Sequence, residues 1–184
     1  MSIENQNKNA IKDYCIFSIN NDRDKKEGFQ YIKEAADSGI EFAITQYAYM
    51  LQNGIGCKAD IEKSIEYYKI AIEKGDGLAM FYYSKMLSDG KSIPINKKEA
   101  IKYCKMAMDA DIDQAFYHYS SLTYNDPKIN QEEVAKYFKM SADKGNSSGM
   151  NNYAFMLFNG TGIPCDKQEA IKYYKMSIEK GNVN

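Results

Sequence analysis

A stretch of 33 residues, Ala43 to Gly75 (AITQYAYMLQNGIGCKADIEKSIEYYKIAIEKG), recurs along this chain at intervals of 36 residues. The frame returns at Ala79 to Asp111, at Ala115 to Gly145 with two residues lost from its middle, and at Gly149 to Gly181; a shorter first copy runs from Ala10 to Gly39. Each copy reads as helix, loop, helix. A supersecondary unit repeated in this way buries its apolar faces against its neighbours, so the copies are expected to stack as a solenoid. The reading is one continuous solenoid over residues 10–184, with copies at about 10–42, 43–78, 79–114, 115–148 and 149–184, preceded by a polar segment at 1–9.

The start and stop signals agree with the period. Second helices are expected to begin after Asp24, Asp60, Asn96, Asn130 and Asp166, whose side chains can accept from the unpaired amides of a first turn. Glu27, Glu99, Glu133 and Glu169 follow three residues later as capping-box partners, with Lys63 as the departure. Gly39, Gly75, Gly145 and Gly181 close the second helices, and Asp111 stands where the third copy lacks glycine.

Comparing copies separates the faces. In the first helix Ile44, Tyr47, Ala48 and Leu51 lie at i, i+3, i+4 and i+7 and form one apolar stripe, repeated at Met80, Tyr83, Ser84 and Leu87, at Phe116, Tyr119, Ser120 and Thr123, and at Met150, Tyr153, Ala154 and Leu157. In the second helix the recurrent tyrosines Tyr31, Tyr67, Tyr103, Tyr137 and Tyr173 are assigned to the core. Opposite them, Lys33 and Asp37, Lys69 and Glu73, Lys105 and Asp109, Lys139 and Asp143, and Lys175 and Glu179 pair at i, i+4 as an ordinary solvated back.

Charge narrows the partners. The net charge is -1, and 23 of the 24 basic residues are lysine, with Arg23 alone supplying a guanidinium. Nucleic acid is not the expected partner, since a phosphate-binding face calls for a basic excess and forked donors. No apolar run approaches the roughly 20 residues needed to span a bilayer, and residues 1–9 (MSIENQNKN) lack the apolar centre of a signal peptide. No membrane insertion is expected, and the expected location is cytoplasmic.

With its copies aligned, the chain resembles the Sel-1-like repeat family, relatives of the tetratricopeptide repeats. The resemblance rests on Ala43, Ala48, Gly54, Gly56, Asp60, Tyr67, Tyr68, Ala71 and Gly75, and in the last copy on Gly160, Gly162, Asp166, Ala170, Tyr173, Tyr174 and Gly181. The loops NGIG (Asn53 to Gly56) and NGTG (Asn159 to Gly162) set it apart from tetratricopeptide repeats. The resemblance implies an all-α solenoid of about five helix-loop-helix repeats in a right-handed superhelix, with first helices lining a concave surface. It also implies a non-enzymatic protein-protein interaction scaffold or adaptor. The alternatives are a hydrolase of the family's cysteine-rich branch and an architectural module of a longer multidomain protein.

Residues that vary among the copies on the side of the first helix away from the apolar stripe are the candidate site. Thr45, Tyr49 and Gln52 mark that side, answered by Phe81, Lys85 and Ser88, by Tyr117, Ser121 and Tyr124, and by Asn151, Phe155 and Phe158; Gln46, Tyr82, His118 and Asn152 stand beside them. The partner-binding groove is therefore expected along Tyr49, Phe81, Tyr82, Lys85, Tyr117, His118, Tyr124, Asn152, Phe155 and Phe158. Aromatic side chains carry much of the energy of protein interfaces, so a partner peptide or helix is the expected ligand. After Gly181 only Asn182, Val183 and Asn184 remain, so Tyr173, Tyr174 and Ile178 are expected to be more exposed than the matching face of the fourth hairpin, allowing end-to-end association.

No catalytic, cofactor or metal site is expected. The only histidine, His118, lies beside Ser120 and Ser121 without a third group to orient it, and no cysteine lies near it in sequence. The glycine loops lack the preceding strand of a nucleotide-binding turn. Cys15, Cys57, Cys104 and Cys165 occupy four different repeat positions, so no copy holds a pair to bridge, and this argues against the cysteine-rich branch. All four thiols are expected to be reduced, with compactness and melting temperature unchanged by reducing agent. A disulfide found by mass spectrometry of the non-reduced protein overturns the cytoplasmic assignment.

Overall fold

The computed structural model describes residues 13, 17, 25–124 and 126–181. Among them are nine helices and no strand: α1 (Lys25–Asp37), α2 (Glu41–Asn53), α3 (Ile61–Glu73), α4 (Gly77–Asp89), α5 (Lys97–Asp109), α6 (Asp113–Thr123), α7 (Gln131–Asp143), α8 (Ser147–Asn159) and α9 (Lys167–Glu179). Backbone packing divides the chain into two units, Met1–Pro94 with α1 to α4 and Ile95–Asn184 with α5 to α9. Within the first unit each helix packs on the next; the same holds from α5 to α9 in the second. Of the first copy's first helix only Asp13 and Phe17 are described, both helical and exposed; Tyr14, Cys15 and the cap expected at Asp24 lie outside the described residues.

Helix starts follow the caps. Asp60 accepts from the Lys63 amide at 3.0 Å, Asn96 from Glu99 at 3.1 Å and Asp166 from Glu169 at 2.9 Å, while Asn130 takes the Glu132 amide at 2.9 Å. First helices begin two residues before the repeat frame, and two carry caps the sequence reading passed over: Asp76 accepts from Ala79 and Asn146 from Gly149. Gly39, Gly75, Gly145 and Gly181 end the second helices at positive φ, and Asp111 does the same at φ 55°.

Every residue of the first-helix stripe is buried in all four described copies, as its period requires. The small residue after each tyrosine lets second-helix groups reach the first-helix backbone: Ser64 Oγ donates to the Ala48 carbonyl at 2.8 Å. In the other direction, Ser120 Oγ donates to Val134 at 3.3 Å.

The recurrent second-helix tyrosines are not the core as a set. Tyr31 is exposed and Tyr67, Tyr103 and Tyr137 are half-buried; only Tyr173 is buried. Within a hairpin the ring meets the first-helix tyrosine edge-on, at 4.7 Å for Tyr47 and Tyr67, 5.2 Å for Tyr119 and Tyr137, and 4.9 Å for Tyr153 and Tyr173. This is an intra-hairpin contact at the margin of the stripe, where a phenol keeps its hydroxyl near water. The sealed residue is the next one, Ile32, Tyr68, Cys104 or Phe138, which lies about 100° further round the helix.

The lysine back is also not uniform. Lys139 closes its i, i+4 pair with Asp143 at 3.0 Å, but Lys105 reaches Glu133 on α7 at 4.0 Å and lies 5.2 Å from the Tyr119 ring centre. On α9 the counterpart of the stripe through Phe138 and Ala142 is more open: Ile178 is 59% exposed where Ala142 is 1%. Tyr174 is half-buried, whereas Tyr173 turns inward against Tyr153.

The glycine loops have a packing duty. A Cβ on Gly56 would overlap the carbonyl of Lys25 at the start of α1, and one on Gly162 would overlap that of Gln131 at the start of α7. The second glycine of each loop thus lies on the first turn of the preceding hairpin's second helix. Both also have positive φ, 73° and 71°. Gly75, at φ 85°, has nothing within 4 Å of a built Cβ. Gly75→Ala is expected to cost only the left-handed penalty of about 1–2 kcal/mol, and Gly56→Ala about 3 kcal/mol or more because the clash is added. Equal urea midpoints for the two variants would remove the packing role.

Tyr67 ties α3 to α1, its hydroxyl donating to the Asp37 carboxylate at 3.0 Å. Burial first, then the Asp37 bond and charge, push its pKa up to about 12. The folded chain holds this proton more tightly than the unfolded one, so the Tyr67 contribution to stability is whole below about pH 10 and is lost as pH rises towards 12. Thermal melts across this window are expected to fall less steeply for Tyr67→Phe than for the parent chain, and parallel falls would count against Tyr67.

Candidate functional site

The expected groove residues gather within each unit separately. In the first unit Tyr49 on α2 and Tyr82 on α4 face each other with ring centres 5.0 Å apart, and Tyr68 on α3 lies 6.3 Å from Tyr82. The Tyr68 hydroxyl donates to Gln52 Oε1 at 2.9 Å, which fixes the floor of the cluster. Burial first, then the neighbouring tyrosines, raises the pKa of both Tyr68 and Tyr82. Beside these rings is a depression of about 270 Å³, with Gln52, Lys85, Asp89 and Lys91 on its walls. Lys85 is exposed, its ammonium 5.8 Å from the Phe81 ring centre.

Two residues of this group do not stand open. Phe81 is 8% exposed, and Thr45 is buried with its hydroxyl donating to Asp76 at 3.0 Å. The position they share faces inward in both copies, because it adjoins the stacking stripe on the helix wheel rather than opposing it.

In the second unit a pocket of about 320 Å³ is lined by Ser121, Tyr124, Phe138, Asn152 and Phe155. Tyr124, at the end of α6, meets Phe155 of α8 at 6.3 Å and Phe138 of α7 at 6.4 Å, both edge-on, and Tyr117 meets Phe138 at 6.0 Å. Phe138 is sealed while Phe155 is 46% exposed, so the pocket has a fixed apolar floor and an open aromatic rim. His118 is half-buried on α6 next to Tyr117. Phe158, 45% exposed, stands near the end of α8 under the Lys167 ammonium at 5.4 Å and does not line the pocket.

Sequence reading missed Tyr68 and Phe138, the rings that floor the two clusters. Their signal was present: each follows a recurrent tyrosine, at a position that is Ile32, Tyr68, Cys104, Phe138 and Tyr174 in successive copies. A residue variable in size but never charged is what a junction between non-identical hairpins produces.

Among the described residues no group of three or more His, Cys, Asp or Glu could hold a metal ion, and no helix is long and apolar enough to cross a membrane. Cys57, Cys104 and Cys165 are free thiols, with Cys57 raised in pKa by burial and then by the Asp60 charge; Cys15 lies outside the described residues.

The comparisons with known proteins agree with this architecture. The model of the Sel1 repeat matches residues 22–40, 42–76, 77–110, 107–123, 127–146 and 147–182. The fourth hairpin is matched as two halves on either side of the loop that lost its glycines. Among solved structures, the chain is similar to a Sel1 repeat protein from Oxalobacter formigenes, with 28% identity, a TM-score of 0.79, and 88% of this chain aligned to 66% of that one. It is similar in fold to c5321, a protective antigen of uropathogenic Escherichia coli with an SLR fold, at 18% identity and a TM-score of 0.79, covering 84% of this chain and 33% of that one. Helicobacter pylori cysteine rich protein B aligns at 18% identity and a TM-score of 0.52, over 68% of this chain and 92% of that one. This chain therefore spans just under two thirds of the Oxalobacter protein and one third of the Escherichia coli antigen. The comparison with curated proteins finds no match. With the family model covering nearly every described helix and the helical repeat solenoid shared with these structures, the chain belongs to the Sel1 repeat family.

Proposed function

We propose that this protein is a non-enzymatic interaction scaffold that holds a peptide or helix of a protein partner against the aromatic clusters of its first helices. Sel1 repeat proteins generally act as protein-interaction scaffolds. The observation that carries the reading here is the pocket of the second unit, where Phe155 remains about half exposed above a floor of sealed Phe138. An isolated exposed phenylalanine is ordinary. A ring fixed edge-on against Tyr124, over about 320 Å³ of space, is a ready seat for one apolar side chain. In the first unit Lys85 and Lys91 beside Tyr49 and Tyr82 make a more polar counterpart, suited to the flanking acidic or amide groups of a bound segment. Tyr117, His118 and Asn152 border the second-unit cluster, and Phe158 extends the exposed aromatic surface of α8.

Alanine at Tyr82, Tyr117 and Phe155 together is expected to weaken capture of partners at least tenfold, about 1.4 kcal/mol, with the melting transition retained. The control replaces the exposed lysines Lys69, Lys136 and Lys172, because Lys105 and Lys139 carry packing or ion-pair duties of their own. Loss of partners by the lysine variant, with the aromatic variant unaffected, places the binding face elsewhere. Retention by both favours an architectural role.

A further inference from the structure

One position of the second helices is large in every copy but the fourth. It holds Phe29, Ile65, Ile101, Ala135 and Ile171 in successive repeats. In the first unit Phe29 on α1 packs against Tyr47 on α2, with ring centres 5.3 Å apart. The equivalent pair in the second unit is Ala135 on α7 and Tyr153 on α8, and here a groove of about 480 Å³ lies open, lined also by half-buried Ile163 from the loop before α9. Ala135 and Tyr153 are buried, so the base of the groove is apolar. Its border on α7 is charged. Glu133 is reached by Lys105 at 4.0 Å and by the Tyr119 hydroxyl at 3.5 Å, and Lys139 closes its pair with Asp143. Glu132 and Lys136 also line the groove, are exposed, and form no ion pair with any described residue.

We infer that this groove is a second protein-binding site, separate from the aromatic clusters of the first helices, and that it takes a phenylalanine side chain from an extended partner segment in which that residue stands between one basic and one acidic residue. The ring occupies the space that Phe29 fills in the first unit, against the equivalent tyrosine. The flanking charges answer Glu132 and Lys136. These two lie one turn apart on α7, a rise of about 6 Å. Residues on either side of a central one in an extended chain are about 7 Å apart, so one flanking side chain reaches each charge. The first unit offers no such site, because Phe29 stands in it and Lys26 and Gln30 replace the acid and the base.

The probes are two five-residue peptides, acetyl-GKFEG-amide and acetyl-GEFKG-amide, titrated against the full chain by NMR. Saturable binding of one order is expected, about fivefold weaker for the other order and at least tenfold weaker when alanine replaces the phenylalanine. Glu132→Lys combined with Lys136→Glu, both at exposed positions, is expected to reverse the preferred order with the melting transition retained. Ala135→Phe, which restores the ring of the first repeat, is expected to abolish binding. Ala135→Ile, the residue of three other copies, closes the groove with a smaller side chain if the phenylalanine variant does not fold. Absence of saturable binding, equal binding of the two orders, a preference unmoved by the charge exchange, or binding that survives closure of the groove overturns the inference. The variant with alanine at Tyr82, Tyr117 and Phe155 is expected to bind the preferred peptide as the parent chain does; loss there assigns the peptide to the first-helix clusters and overturns this site.

Discussion

The junction between one hairpin and the next is the contact on which this structure depends. A single helical hairpin has two apolar faces and can bury only one of them by itself, so the second must find another hairpin. In the second unit Phe138 shows how completely this is done, for it belongs to α7 yet is sealed by its place in the cluster with α8 and α9. Glycine makes the geometry possible. At Gly56 and Gly162 one backbone lies where any Cβ would collide with another, and Gly149 on α8 likewise leaves no room for a side chain beside Ser141. Close backbone approach brings many weak dispersion contacts into range at once, and these hold the stack together.

The candidate binding surface is a by-product of the same packing. Tyr68 and Phe138 are junction residues first, and each becomes the floor of an aromatic cluster because the first helices on either side of it expose rings. Sequence change at the junction and at the rim is therefore coupled, because the floor residue of each cluster is also a sealed packing residue. Variation among repeats of one chain can in this way produce unlike clusters, one polar with two lysines and one apolar with an exposed phenylalanine.

Much of the fold was legible residue by residue. Caps at Asp60, Asn96 and Asp166, positive-φ ends at Gly75 and Asp111, and the stripe of Ile44, Tyr47, Ala48 and Leu51 all follow from local rules that operate within one or two turns. The site was only partly legible. Tyr49, Tyr82, Tyr117, Tyr124, Asn152 and Phe155 do gather, within their own units, but Phe81 is buried and Phe158 stands apart near Lys167. Helical periodicity places a side chain on an angular sector about one neighbour wide. It does not say which edge of that sector the adjacent helix covers.

By itself the sequence determined the secondary structure, the repeat period, the stacking stripe and the family, because each is written in spacings of three to seven residues or in one motif copied along the chain. Tertiary structure alone decided which of two adjacent second-helix positions is sealed, Tyr67 or Tyr68, Tyr137 or Phe138. It also decided that Gly56 and Gly162 serve a neighbour's carbonyl as well as their own turn, and that Lys105 reaches the next second helix instead of its i, i+4 acid. Those outcomes depend on where a second backbone lies to within an ångström or two, a distance set by the summed volumes of side chains from separate hairpins and by no single stretch of the chain.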